Sequence, residues 1–145
     1  MLVLIMITII ICCMQRLTAQ RQAILDLINA SSRHWDADEV VRALADGGRH
    51  VGIATVYRGL AALEAGSFIN SVQMADKKRY ERADKAHHDH MLCSKCGRIE
   101  EFAHATIEAL QHAAAQERDF LITGHQLVIF GYCKNCAPAH KGDQA

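Results

Sequence analysis

Between Leu17 and Ala65 apolar residues recur three times at helical spacing, and the intervals between the three stretches hold polar and turn-forming residues. In the first stretch Ile24, Leu25 and Ile28 make the stripe, predicting a helix from Ala19 to about Ala30 with Thr18 as its N-cap. Asp36 followed by Glu39 reads as a capping box that opens a second helix. Its apolar face is Val40, Val41 and Leu44, and Gly47-Gly48 ends it. A third helix, from about Ile53 to Ala65, is expected to bury Ile53, Val56, Leu60 and Leu63, with Gly66 after its end. Gly59 falls inside it, where glycine costs about 1 kcal/mol relative to alanine, so a softer helix is expected. The pattern then turns β-like, with runs at Phe68 to Gln73 and Arg79 to Arg82 around a polar turn at Ala75-Asp76-Lys77-Lys78. Three short helices followed by a two-stranded wing read as a winged helix-turn-helix, an architecture that binds DNA.

Beyond a polar bridge at Ala83 to Ala86 the pattern changes. Strand-like pieces near His88 to Leu92 and Arg98 to Phe102 precede a helix from about Thr106 to Glu117 and a strand from Leu127 to Tyr132. The expected class is α+β: a winged-helix domain over 14–83, a hinge at 84–86, a small α/β domain over 87–137 and a tail at 138–145. The apolar run from Leu2 to Cys13 is shorter than the roughly 20 residues that span a bilayer. It also lacks the basic n-region and Ala-x-Ala site of a signal peptide. Residues 1–13 are therefore set apart as an extension, either untranslated, with the start at Met14, or disordered, and no membrane partner is expected.

Composition narrows the partners. Half of the 145 residues are apolar, enough for a packed core, and Lys plus Arg balance Asp plus Glu at 16 each. That balance excludes a whole-molecule basic field, so any phosphate binding has to come from a local patch. Four of the six cysteines stand in two pairs, Cys93-x2-Cys96 and Cys133-x2-Cys136, and the other two, Cys12 and Cys13, are adjacent. This is metal-ligand spacing rather than a disulfide framework, and it places the chain in a reducing, cytoplasmic setting. Four soft sulfur ligands with no open position describe structural zinc, a useful staple for a domain with a small core.

Directly before the first pair stands His87-His88-Asp89-His90. In an extended chain His88 and His90 share one face while His87 and Asp89 share the other, so one tetrapeptide can serve two metal sites. His34, Glu81, Glu101, Glu108 and His125 are further candidate ligands at a distance, each of which taken alone is more often a solvated side chain. Thr55, Tyr57 and Arg58 fall off the stripe of the third helix, where a tyrosine and an arginine suit a thymine methyl and a phosphate as well as ordinary surface. Arg16 and Arg21 are placed for phosphate or minor-groove contacts. A metal-dependent hydrolase is the rival from another class, since histidine and aspartate clusters also build catalytic sites. Against it, the chain lacks a His-Glu-x-x-His motif or a recognisable nucleophile.

Together, Ala54-Thr55-Val56-Tyr57-Arg58, Arg79-Tyr80-Glu81, His87-His88-Asp89-His90-x2-Cys93-x2-Cys96-Gly97, Glu101-Phe102 and Cys133-x2-Cys136 resemble the ferric uptake regulator (Fur) family from about Leu17 to Cys136. The resemblance implies a dimeric, metal-dependent transcription regulator with an N-terminal winged helix and a C-terminal α/β dimerisation domain. It implies a structural zinc on Cys93, Cys96, Cys133 and Cys136, and a regulatory metal on His34, Glu81, His88, His90 and Glu101. A further site would comprise His87, Asp89, Glu108 and His125. The expected activity is Fe(II)-responsive repression of iron-uptake genes by a homodimer, or a pair of dimers, on double-stranded operator DNA, with Mn(II), Zn(II) or Co(II) able to substitute for iron. Zinc-responsive and peroxide-responsive regulators of the same family are the alternatives. The former often place a cysteine in the regulatory set, and the latter tend to use aspartate where this chain has Glu81 and Glu101.

Overall fold

The computed structural model describes residues 17–138, so the extension at 1–13, Arg16 and residues 139–145 lie outside the described residues. In chain order the elements are α1 (Ala19–Asn29), α2 (Ala37–Asp46), α3 (Ile53–Ala65), β1 (Ile69–Met74), β2 (Lys77–Arg82), β3 (Asp89–Cys93), β4 (Ile99–Phe102), α4 (Ala105–Gln116) and β5 (Val128–Gly131). They fall into two compact units. The first runs through Ser71 and includes Lys78–Ala83; the second takes Val72–Lys77 and everything from Asp84 onward.

In the first unit the local signals produce the helices where their chemistry requires. Thr18 accepts a hydrogen bond from the Arg21 backbone at 3.3 Å, relieving one of the orphan donors at the start of α1. Asp36 and Glu39 cap α2 reciprocally, each bond 2.8 Å long. Gly47 and Gly66 follow the last residues of α2 and α3. The core is one cluster built from Ile24 and Ile28 of α1, Val40 and Leu44 of α2, and Val56, Leu60 and Leu63 of α3, closed by Trp35, Ile69 and Tyr80. A fully buried aliphatic side chain is worth about 1.5–3 kcal/mol, so this unit is held mainly by apolar burial.

Two expectations for α3 need correction. Ile53 is 42% exposed rather than buried, because it begins the helix one turn before the contact surface. Gly59, expected to soften the helix, is buried inside an uninterrupted α3, and a Cβ there would lie 2.6 Å from Ile24 Cδ1. The missing side chain lets α1 and α3 approach closely, which offsets the poor helix propensity of glycine. The wing turn is also tighter than the four residues expected: β2 begins at Lys77, and Ala75 turns the chain with φ 52°.

Trp35 acts as a short third strand beside the wing. Its backbone exchanges two hydrogen bonds of 2.8 Å with Tyr80 in an antiparallel bridge. The capping carboxylates of α2 reinforce it, with Arg79 Nη1 lying 3.0 Å from Glu39 and 3.4 Å from Asp36. The adjacent residue of β2, Lys78, meets Glu64 of α3 at 2.7 Å. Burial pushes the Glu64 carboxyl up, but hydrogen bonds from Lys78 and Ser71 outweigh it and hold the group below the usual carboxylate range.

The second unit carries a three-stranded sheet in the order β4-β3-β5. β3 and β4 are antiparallel, whereas β3 and β5 are parallel and so need the crossover that α4 supplies. From Asp84 onward, the buried residues among those described are Asp89, His90 and Cys93. No residue of α4 is buried, and Leu110, Phe120, Leu121, Phe130 and Tyr132 are all exposed.

The Gly59 contact is testable by a double-mutant cycle. Gly59→Ala is expected to destabilise the fold by about 1 kcal/mol, overpacking outweighing the gain in helix propensity. In combination with Ile24→Val, which removes the obstructing methyl, thermal unfolding should show a loss smaller than the sum of the two single losses. Strict additivity would exclude this close contact as the reason for the glycine.

Candidate metal centres and nucleic-acid interface

Parallel pairing sets Cys93 at the end of β3 opposite Gly131 at the end of β5, and two residues later the chain delivers Cys133. Each Cys-x-x-Cys pair closes on itself: Gly97, at φ 72°, donates to the Cys93 carbonyl at 2.9 Å, and Cys136 donates to the Cys133 carbonyl at 2.8 Å. All four sulfurs lie within 4.8 Å of one another, and Cys96 and Cys133 are 3.8 Å apart. A tetrahedron with zinc–sulfur bonds of about 2.3 Å has an edge of about 3.8 Å, so the arrangement fits zinc and none of the four is in a disulfide.

The protonation pattern points the same way. The Cys133 backbone N–H lies 3.4 Å from Cys93 Sγ and, with those of Cys96 and Lys95, lowers the Cys93 thiol to about 6. Its hydrogen bonds to Cys96 and Cys133 push Cys136 up to about 12. Four thiolates this close repel one another, and a divalent ion bound among them would supply the charge that offsets the repulsion.

The same unit brings together His87, Asp89, Glu108 and His125, one ligand atom of each lying within 4.8 Å of the others. Asp89 Oδ1 is 3.4 Å from His125 Nε2 and 3.9 Å from His87 Nε2, and Glu108 Oε1 is 3.3 Å from His87 and 3.5 Å from His125. Asp89 is 1% exposed, yet neither of its carboxylate oxygens accepts a hydrogen bond, and His125 Nε2, close to both carboxylates, makes none either. A buried carboxylate left in this way is costly unless a cation sits against it. Two imidazoles and two carboxylates are a suitable donor set for a divalent transition metal.

His88, His90 and Glu101 gather elsewhere in that unit. The β3–β4 register pairs His90 with Glu101, and the rings of His88 and His90 meet edge to face at 4.7 Å. His88 Nδ1 lies 2.8 Å from the Ala86 carbonyl, which can only accept, so Nδ1 carries the proton and a neutral ring keeps its lone pair on Nε2. That Nε2 is 3.8 Å from Glu101 Oε2, while the other carboxylate oxygen pairs with Lys85. Lys85 was not singled out from sequence, where one lysine in a polar bridge carries no signal. Within the first unit, the Trp35–Tyr80 bridge sets His34 opposite Glu81, which meet at 3.3 Å with both side chains 5% exposed.

On α3, Tyr57 and Arg58 are exposed, and Arg58 donates to Thr55 Oγ1 at 3.1 Å. Arg21, Thr55 and Arg58 line one shallow depression together with Thr18 and Gly59, whereas Tyr57 stands outside it. The uncapped amides at the start of α3 and the two guanidinium groups make a local cationic patch on a chain of zero net charge.

Residues 14–130 match the ferric uptake regulator family. The chain is 38% identical over 122 residues to the ferric uptake regulation protein of Campylobacter jejuni, covering 82% of this chain and 78% of that one. Its fold is similar to that of the ferric uptake regulator from Francisella tularensis with iron, at a TM-score of 0.79 and 34% identity over 86% of this chain and 96% of that one. It is also similar to the Helicobacter pylori regulator Fur, a protein with three functional metal binding sites, at a TM-score of 0.76 and 31% identity over 83% of each chain. Regulators of this kind bind DNA as dimers. A winged helix, a second α/β unit with a cluster of four cysteines and a match along most of the sequence agree on one assignment: the chain belongs to the ferric uptake regulator family, as a metal-responsive DNA-binding transcription regulator and not an enzyme.

Proposed function

We propose that this regulator is an Fe(II)-responsive repressor of iron-uptake genes, acting in the cytoplasm as a homodimer on operator DNA. The observation that carries the reading is donor chemistry. All four cysteines among the described residues belong to one cluster, which leaves imidazole and carboxylate for the regulatory set of His34, Glu81, His88, His90 and Glu101. Such donors suit Fe(II), and Mn(II) and Co(II) as substitutes, whereas a thiolate in the set would favour zinc. A metal that binds the DNA-competent form better than the other form makes affinity for the ion and affinity for DNA linked quantities. His87, Asp89, Glu108 and His125 would hold a further ion, and Cys93, Cys96, Cys133 and Cys136 a structural zinc.

Two surfaces support the rest. The apolar residues left exposed on and around α4 and β5, Leu110, Phe120, Leu121, Phe130 and Tyr132, suit burial against a second copy. Tyr57 and Arg58 on α3, with Thr55 and Arg21 nearby, suit a major groove and its phosphates, and Arg16 would extend the contact.

Anaerobic titration of binding to the protein's own promoter region should show a response to Fe(II) and Mn(II) at buffered cellular concentrations. A response confined to Zn(II) would replace the iron reading with a zinc-sensing one. His90→Ala should remain folded and lose the metal response. Cys96→Ser should lose its zinc and, with it, the ordered second unit, because a structural zinc contributes about 10–16 kcal/mol in small folds that depend on it. Zinc analysis beside circular dichroism reads this out, and a variant that keeps its fold without zinc would refute the structural role. Arg58→Ala should weaken operator binding and reduce the slope of log K against log salt by about 1, as loss of one phosphate contact requires.

A further inference from the structure

One cation already stands at the proposed regulatory site. Lys85 lies on the segment between β2 and β3, and its ammonium pairs with one oxygen of the Glu101 carboxylate, whose other oxygen faces His88. The Lys85 side chain is 13% exposed, less than the 37% of Glu101, and a lysine so far withdrawn from water requires a negative partner. Across the β3–β4 ladder Glu101 is also the residue paired with His90. The ammonium and the His88 imidazole therefore meet at one carboxylate within the second unit, with His90 opposite it in the ladder.

We propose that Lys85 is an affinity-determining residue of the regulatory site, an internal cation that competes with the divalent metal for Glu101. This rests on the reading of His88, His90 and Glu101 as ligands. A metal that draws on Glu101 has either to displace the ammonium into water or to share the carboxylate with a like charge a few ångströms away. Both options are paid only in the metal-bound state, so they lower its affinity without weakening the metal-free fold. The site then fills at a higher free-metal concentration than the same donors would without the lysine. Lys85 thereby sets the threshold at which the regulator responds.

The test uses the full-length, zinc-loaded protein carrying His125→Ala, which disables the second histidine-carboxylate cluster, and Co(II) as the probe, because its visible bands report ligation. Lys85→Met keeps the aliphatic stem and removes the charge. It should bind Co(II) about two- to fivefold more tightly, the range that corresponds to a partly exposed ion pair. Lys85→Arg should keep the parent affinity. Thermal unfolding separates this role from a structural one: Lys85→Met should leave the metal-free Tm equal or lower while enlarging the increase caused by Co(II). A structural lysine, or one that holds Glu101 ready for the metal, would instead give unchanged or weaker Co(II) binding, and that result overturns the proposal. His90→Ala in the same background checks the underlying site independently. Loss of Co(II) there upholds the ligand assignment whatever Lys85→Met does, and full retention overturns the assignment and the lysine's role together.

Discussion

The convergence of four sulfurs at the ends of β3 and β5 is the constraint on which the second unit depends. From Asp84 onward Cys93 is the one buried residue among those described that is not a charged or imidazole side chain, and the unit's other buried apolar residues are Val72 and Met74 of β1, so apolar burial within the three-stranded sheet itself is small. Its strands are four or five residues long, its helix buries nothing, and its β3–β5 pairing is parallel and distant in sequence. Sheets of this size need a covering layer or a cross-link to stay folded. A zinc ion held by the four sulfurs would provide that cross-link at the point where the two strands end. An apolar surface on and around α4 and β5 is left for the covering layer.

That economy explains what lies on β3. In an ordinary sheet its inward positions would be aliphatic; here Asp89 and His90, on successive and therefore opposite faces, are the buried ones. Buried polar groups cost stability unless they find hydrogen bonds or a counter-charge, and neither oxygen of Asp89 accepts a hydrogen bond. The unit thus gives up hydrophobic stabilisation to place donor atoms on both faces of one strand. The first unit buries His34, Asp36 and Glu81 as well, but there a full aliphatic core offsets the cost and supports the helix that presents Tyr57 and Arg58.

What was legible in the sequence was what is local. The caps at Thr18 and Asp36, the glycine stops and the split of His88/His90 from His87/Asp89 rest on spacings of a few residues, and the structure forms the caps and both groupings. Ile53 was misplaced because helical periodicity gives a face but not where along the helix contact begins. Gly59 was misread because its reason lies on another helix, at Ile24 Cδ1.

The residues whose positions could not be derived from the chain are those set by a single long-range backbone register. His34 meets Glu81 because Trp35 bridges Tyr80, an isolated pair 45 positions apart that no periodicity marks. Glu101 reaches His88 and Lys85 because the β3–β4 hairpin happens to pair it with His90. In both cases the family resemblance implies a ligand while the backbone register places it, and the resemblance is silent about neighbouring charges. Lys85 belongs to no motif, yet its charge lies closer to Glu101 than the His88 imidazole does. The donor list alone therefore defines which metals a regulator of this kind can accept, whereas the concentration at which it accepts them depends on charges that only the folded chain brings to the site.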